Sequence, residues 1–178
     1  VAVGCPVIVK PANPTPLSCL SLVKCLYEAG LPEEWCRTII CENADAEKLV
    51  TDSRVAFFTF IGSGAVGWML HSKLAPGTRC VLEHGGAAPV IVDHDADLKD
   101  TLPLLAKGGF YHAGQVCVSV QKIFVHESMV DSFSKGLVEL AENLVVGDPL
   151  DEKTEVGPLI LEREVNRVDQ WVQEAKNE

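Results

Sequence analysis

Three short stretches of this 178-residue sequence hold residue types that could do chemistry. In Gly114-Gln115-Val116-Cys117-Val118 a cysteine follows a small, polar, flexible segment. A thiolate is a strong nucleophile, and a helix N-terminus or a nearby positive group favours that form. Cysteines occur at positions 5, 19, 25, 36, 41, 80 and 117, and most of them must be inert, because free cysteine behaves as a small buried hydrophobe. In Leu82-Glu83-His84-Gly85-Gly86 a carboxylate ends an apolar strand, and two glycines leave it open to a cleft where it could serve as a general base. The blander reading is a solvated strand-end glutamate. Gly62, Gly64 and Gly67 form a GxGxxG turn between a strand-like and a helix-like run. Such a turn admits a pyrophosphate to the backbone and to the helix N-terminal N–H groups. A tight turn without any ligand would use the same glycines. Glu83 falls about 20 positions on, where a ribose-binding acid is expected in dinucleotide folds, so it has two competing uses.

The elements that must position these residues alternate between strand and helix, the pattern of βαβ units and a largely parallel, buried sheet. Pro6–Lys10 reads as a strand, followed by a helix over Leu17–Ala29 with Thr15 as N-cap, Pro16 at the first helical position and a stop at Gly30. Arg37–Cys41, Val55–Phe60, Arg79–Glu83, Pro89–Val92 and Lys122–Val125 read as further strands. Helices are expected near Ala44–Thr51, from the glycine turn to about Leu74, over Leu98–Phe110, near Met129–Leu144 and over Leu161–Lys176. The fold class is therefore α/β with a largely parallel sheet, and the double glycine is the candidate boundary between residues 1–85 and 86–178.

Composition narrows the partners. Hydrophobic residues make up 47% and charged residues 22%, as in a soluble globular chain. A net charge of −10 argues against an electrostatic grip on nucleic acid or anionic lipid. The apolar runs are far shorter than the ~18 residues of a membrane span. The odd cysteine number, without a CxxC pair or zinc-finger spacing, points to a reducing, cytoplasmic compartment and to no metal site. The chain opens at Val1 inside a strand-like run, so a targeting segment could have been lost upstream.

Taken together, the motifs resemble those of the aldehyde dehydrogenase superfamily. The family's lysine strand and following turn look like Val9-Lys10-Pro11-Ala12 with Thr15-Pro16-Leu17. Its cofactor turn, Phe-Thr-Gly-Ser then Val-Gly, looks like Phe60-Ile61-Gly62-Ser63 with Val66-Gly67. Its general-base segment, Leu-Glu-Leu-Gly-Gly, is similar to residues 82–86, and its Gly-Gln-x-Cys nucleophile segment is intact at Gly114–Cys117. Order and spacing agree with the family across the whole chain.

The resemblance implies that the parent oxidises a small-molecule aldehyde to a carboxylic acid with NAD or NADP. Cys117 would form a thiohemiacetal and then a thioester, with its own backbone N–H holding part of the oxyanion charge. Glu83 would activate the hydrolytic water or help deprotonate the thiol. Lys10 would hydrogen-bond the adenosine ribose, and Gly62 and Ser63 would lie against the pyrophosphate. Departures from the family pattern are Asn13 in place of the glutamate of many NAD-preferring members, Ile61 for threonine, His84 for leucine, Ala87 for lysine, and Pro32-Glu33-Glu34-Trp35 for a glycine-rich segment. Without a carboxylate at 13, a 2′-phosphate is not repelled.

The resemblance also implies a middle fragment, in which residues 1–85 are part of a parallel-sheet, Rossmann-like NAD(P)-binding domain and residues 86–178 are the N-terminal part of an α/β catalytic domain. The family's upstream oxyanion-holding asparagine would precede Val1, and its nicotinamide-ribose glutamate would follow Glu178. Loss of one oxyanion donor costs ~10²–10³ in rate, so the isolated piece is expected to be inactive or nearly so, and its parent to be a homo-oligomer. A family-derived scaffold without turnover and a coenzyme A-acylating enzyme are the alternative readings, the second of which would not need Glu83 to activate water.

Overall fold

The computed structural model describes residues 1–177. Its elements run β1 (Val7–Val9), α1 (Leu17–Glu28), β2 (Cys36–Thr38), α2 (Asn43–Val50), β3 (Phe57–Ile61), α3 (Gly64–His71), β4 (Arg79–Glu83), β5 (Val90–Val92), α4 (Leu98–Phe110), β6 (Ile123–Val125), α5 (Val130–Glu142) and α6 (Glu162–Asn177). This is the α/β alternation expected from the sequence. Packing divides the chain into one compact unit of Val1–Ile61 with Ala65–Leu82, and a second of Gly62–Gly64 with Glu83–Glu178. Among the described residues no helix is long and apolar enough to cross a membrane.

In the first unit β1 and β2 pair in parallel, with Val7 opposite Cys36 and Val9 opposite Thr38. Helix α1 packs on β2; its Val23 is buried, as is Cys36, and the Tyr27 hydroxyl donates to the Cys36 carbonyl. The helix does not begin as expected. Pro16, not Thr15, is the N-cap, and no side chain caps the helix. The Pro16 carbonyl already accepts the N–H of Leu20 at 3.1 Å, while the Thr15 N–H turns back to Ala12. The end is the expected one: Gly30 takes a positive φ of 95° and Leu31 N–H returns to the Leu26 carbonyl, which satisfies a last-turn carbonyl at a position where a Cβ would be strained.

Strands β3 and β4 lie side by side. Arg79 N–H donates to the Ala56 carbonyl near one end, and Gly62 N–H to the Glu83 carbonyl at the other, both at 3.0–3.1 Å, so the two strands run in the same direction. Helix α3 is shorter than expected, ending at His71 and running out through turns at Lys73 and Leu74.

In the second unit β5 and β6 pair in parallel, with Val90, Ile91 and Val92 opposite Ile123, Phe124 and Val125. Helices α4 and α5 pack on each other, and Val92, Leu102, Leu105 and Phe133 form the buried core, flanked by Val90, Ile123, Val125 and Leu137. Asp97 caps α4 by accepting the N–H of Lys99 at 2.8 Å. Gly136 of α5 lets the two helices approach closely: a Cβ there would lie 2.5 Å from Cδ1 of Leu102.

Candidate active site

The cysteine segment is shaped by what precedes it. Helix α4 ends in Gly108-Gly109-Phe110, and the chain then returns across that end, with Val120 N–H donating to the Gly108 carbonyl at 3.0 Å. A Cβ on Gly108 would come within 3.1 Å of Val120 Cγ2, so the small residues set how tightly the return passes. Between them, His112, Ala113 and Gly114 take positive φ values of 51°, 55° and 71°. Glycine does this freely, whereas a residue with a Cβ gives up ~1–2 kcal/mol. The segment is held in that shape by Gln115. Its amide Nε2 donates to the His112 carbonyl at 2.9 Å, and its Oε1 accepts the backbone N–H of Ile160 at 2.9 Å.

Cys117 follows in a turn closed by Ser119 N–H to the Val116 carbonyl at 3.0 Å. Its thiol is exposed, as are those of Cys5 and Cys25. Cys36 is buried, and burial pushes the half-buried Cys80 thiol up, as befits inert positions. Ser119, two residues past Cys117, is almost fully buried at 1% exposure, and among the described residues its hydroxyl meets no hydrogen-bond partner.

The double-glycine segment runs beside this turn. A Cβ on Gly86 would lie 3.5 Å from the Cys117 carbonyl oxygen. Gln121 N–H donates to the Ala87 carbonyl at 3.1 Å, and Val90 N–H to the Lys122 carbonyl at 2.9 Å, which leads both strands into the β5–β6 pair. Glu83 stands three residues before Gly86, with its side chain exposed and its carbonyl engaged by Gly62 N–H. Cys117, Glu83, Gly62 and Ser63 therefore all belong to the second unit. Gly62 and Ser63 are exposed ahead of the α3 N-terminus. Gly62 has no N–H to spare for a phosphate, since Glu83 takes it, and can contribute only its missing side chain. Lys10 belongs to the first unit, where its Nζ donates to Asn13 Oδ1 at 2.6 Å. The candidate residues line neither of two surface depressions, of about 420 and 330 Å³, that flank α4.

The model of the aldehyde dehydrogenase family matches residues 1–178. The chain belongs to the aldehyde dehydrogenase family. It is 42% identical over 99% of its length to 3-sulfolactaldehyde dehydrogenase of Priestia megaterium, of which it covers 37%. It is 36% identical over 99% of its length to betaine aldehyde dehydrogenase of Cereibacter sphaeroides, again covering 37%. Among solved structures, aldehyde dehydrogenase 21 of Physcomitrella patens, complexed with the reaction product succinate, matches with a TM-score of 0.92 and 38% identity, over 99% of this chain and 37% of that one. The glyceraldehyde-3-phosphate dehydrogenase of Methanocaldococcus jannaschii, complexed with NADP, matches with a TM-score of 0.88 and 36% identity, over 96% of this chain and 38% of that one. Betaine aldehyde dehydrogenase of Staphylococcus aureus, in complex with NAD+, matches with a TM-score of 0.92 and 29% identity, over 99% of this chain and 35% of that one. This member of the aldehyde dehydrogenase family thus spans about 37% of the length of these curated relatives.

Two residues of the site escape a reading of the sequence. Gln115 lies inside the Gly-Gln-x-Cys motif, yet nothing local announces a partner 45 residues further on. Ser119 reads as an ordinary polar loop residue, and nothing in its local sequence announces that it is almost fully buried.

Proposed function

We propose that the intact polypeptide carrying this sequence oxidises an aldehyde to a carboxylic acid with NAD or NADP, with Cys117 as nucleophile and Glu83 as general base. The observation that supports this most is the exposed Cys117 turn lying against the double-glycine segment that Glu83 introduces. The Cys117 thiolate attacks the carbonyl carbon, and the Cys117 backbone N–H takes part of the oxyanion charge of the thiohemiacetal. The dinucleotide, when bound, supplies the hydride acceptor that makes oxidation to the thioester possible. Glu83 then takes a proton from the water that attacks the Cys117 thioester, and the acid leaves as the thiol is restored.

The residues present fit such a cofactor. The first turn of α3 contains no acidic residue, so its N-terminus is open to an anionic group, and Ser63 and the side-chain-free Gly62 precede it. The Lys10 amine is held by a neutral amide rather than a carboxylate, which leaves its charge available to a ribose or a 2′-phosphate. NAD+ and NADP are bound by the Staphylococcus and Methanocaldococcus neighbours respectively. A homo-oligomer in a reducing, cytoplasmic setting completes the proposal, in keeping with seven free cysteines.

The test is NAD(P)H formation by the intact polypeptide with a panel of small aldehydes. Cys117→Ser is expected to abolish turnover, and Glu83→Gln to lower steady-state turnover ~10²–10⁴-fold while sparing a first burst of NAD(P)H. Rapid turnover of Glu83→Gln only with coenzyme A would favour an acyl-transferring enzyme, and no turnover by the wild type with any aldehyde would favour a scaffold. Activity retained in Cys117→Ser overturns the assignment.

A further inference from the structure

We infer that Gln115 is a positioning residue: its side-chain amide staples the left-handed segment before Cys117 to the backbone at residue 160 and so holds the thiol in its reactive placement. The inference rests on the reading of Cys117 as the nucleophile. Both ends of the amide are committed. Nε2 donates to His112 at 2.9 Å, with the Pro158 carbonyl further off at 3.5 Å, and Oε1 accepts Ile160 N–H at 2.9 Å. The amide therefore joins the first residue of the strained run to a segment 45 positions away. His112 and Ala113 have positive φ without being glycine, a conformation that persists only where surrounding contacts over-determine it. The turn's own backbone bonds, Gln115 N–H to His112 and Ser119 N–H to Val116, are local and can move with the loop. Val120 N–H to Gly108 and Gln121 N–H to Ala87 anchor the chain beyond Cys117, whereas the bond to Ile160 ties the stretch before Cys117 to a different part of the unit.

Two consequences separate this role from simple loop stability. An acceptor at position 115 is what Ile160 needs, so glutamate keeps that bond while losing the one to His112, and methionine keeps the bulk while losing both. Ile160 donates through its backbone, so proline there removes the same bond from the other side; its side chain is 52% exposed, so little packing is lost.

The experiment uses the intact polypeptide and two readouts: alkylation of Cys117 by iodoacetamide, resolved by peptide mass spectrometry with exposed Cys5 and Cys25 as internal references, and NAD(P)H formation with an aldehyde. Gln115→Met is expected to slow Cys117 alkylation and kcat together by about tenfold, with Cys5 and Cys25 unchanged. Gln115→Glu is expected to recover most of that loss. Ile160→Pro should reproduce the Gln115→Met effect, and the double variant should be no worse than either single one. Unchanged Cys117 reactivity in Gln115→Met, no recovery by glutamate, or multiplying effects in the double variant overturns the inference. If Gln115→Met does not fold, Ile160→Pro alone decides between a loss and no change. Altered alkylation in a protein that never forms NAD(P)H would leave the staple standing and remove the proposed function instead.

Discussion

A buried hydroxyl and a partnered lysine carry the sharpest expectations at the scale of single residues. Ser119 has 1% of its surface exposed, and among the described residues its Oγ has no partner. A buried polar group without a hydrogen bond costs ~1–3 kcal/mol, so Ser119→Ala is expected to leave stability unchanged or raise it by ~1 kcal/mol, read from urea unfolding; a loss of stability would mean that the hydroxyl is satisfied. Lys10 binds Asn13 at 2.6 Å. In the proposed cofactor site a carboxylate at that position would neutralise the lysine and repel a 2′-phosphate, so Asn13→Glu is expected to lower kcat/KM with NADP about tenfold relative to NAD. An unchanged ratio would remove position 13 from cofactor choice. The candidate residues Cys117, Glu83 and the glycines stand out in the sequence because they sit in short ordered motifs. The left-handed backbone at His112 and Ala113 was not, since only Gly114 has a side chain, or lack of one, that signals it.

At the level of elements, legibility followed how local the cause was. Helix α4 occupies Leu98–Phe110 and β4 occupies Arg79–Glu83, the spans expected from the sequence, because a capping aspartate and a Pro-Gly break stand right beside them. Strand β2 is Cys36–Thr38 rather than Arg37–Cys41, because a three-residue register with β1 determines its extent, and that register is set by a distant strand. The contact of α4 with α5 supports a prediction of its own. Gly136→Ala would place a methyl group 2.5 Å from Leu102 Cδ1. Overpacking costs ~1–3 kcal/mol and the gain in helix propensity returns ~1 kcal/mol, so a net loss is expected from chemical denaturation. In a Leu102→Ala background the same change should become stabilising. The turn between α2 and β3 supports another. Asp52 accepts Arg54 N–H and Nε at 2.9 and 2.8 Å, and Arg54 Nη2 at 2.7 Å. These bonds hold its carboxyl well below the usual range. Since the folded value lies below the unfolded one of ~3.9, the turn's contribution is complete above about pH 4 and fades as pH falls through the folded value. Replacing Asp52 with Asn should therefore flatten the loss of urea resistance between about pH 4 and 2; an unchanged acid limb would show the pair to be inconsequential.

For the whole chain, the distribution of apolar surface matters more than any one contact. In the β5–β6 pair, Val92 is buried beneath the helices, while Ile91 and Phe124, opposite each other in the register, are 81% and 54% exposed. Apolar residues on both faces are the mark of a parallel strand made for burial on both sides, and here one face is open. Ile8 of β1 and Ile61 of β3 are exposed at 54% and 81%, so the pattern recurs along the chain. Exposed apolar surface such as the paired Ile91 and Phe124 drives association, whereas a net charge of −10 opposes it. The charge acts through solvent and is screened within ~10 Å at 0.1 M salt, but the apolar contact is not. The 178-residue chain expressed alone is therefore expected to bind a hydrophobic dye and to self-associate at micromolar concentration, more strongly as salt is raised. Replacing Ile91 and Phe124 with threonine, which keeps β-propensity while removing apolar area, should reduce both signals without loss of circular dichroism. Light scattering that stays monomeric across the salt range would show that the open face does not govern the behaviour of the chain.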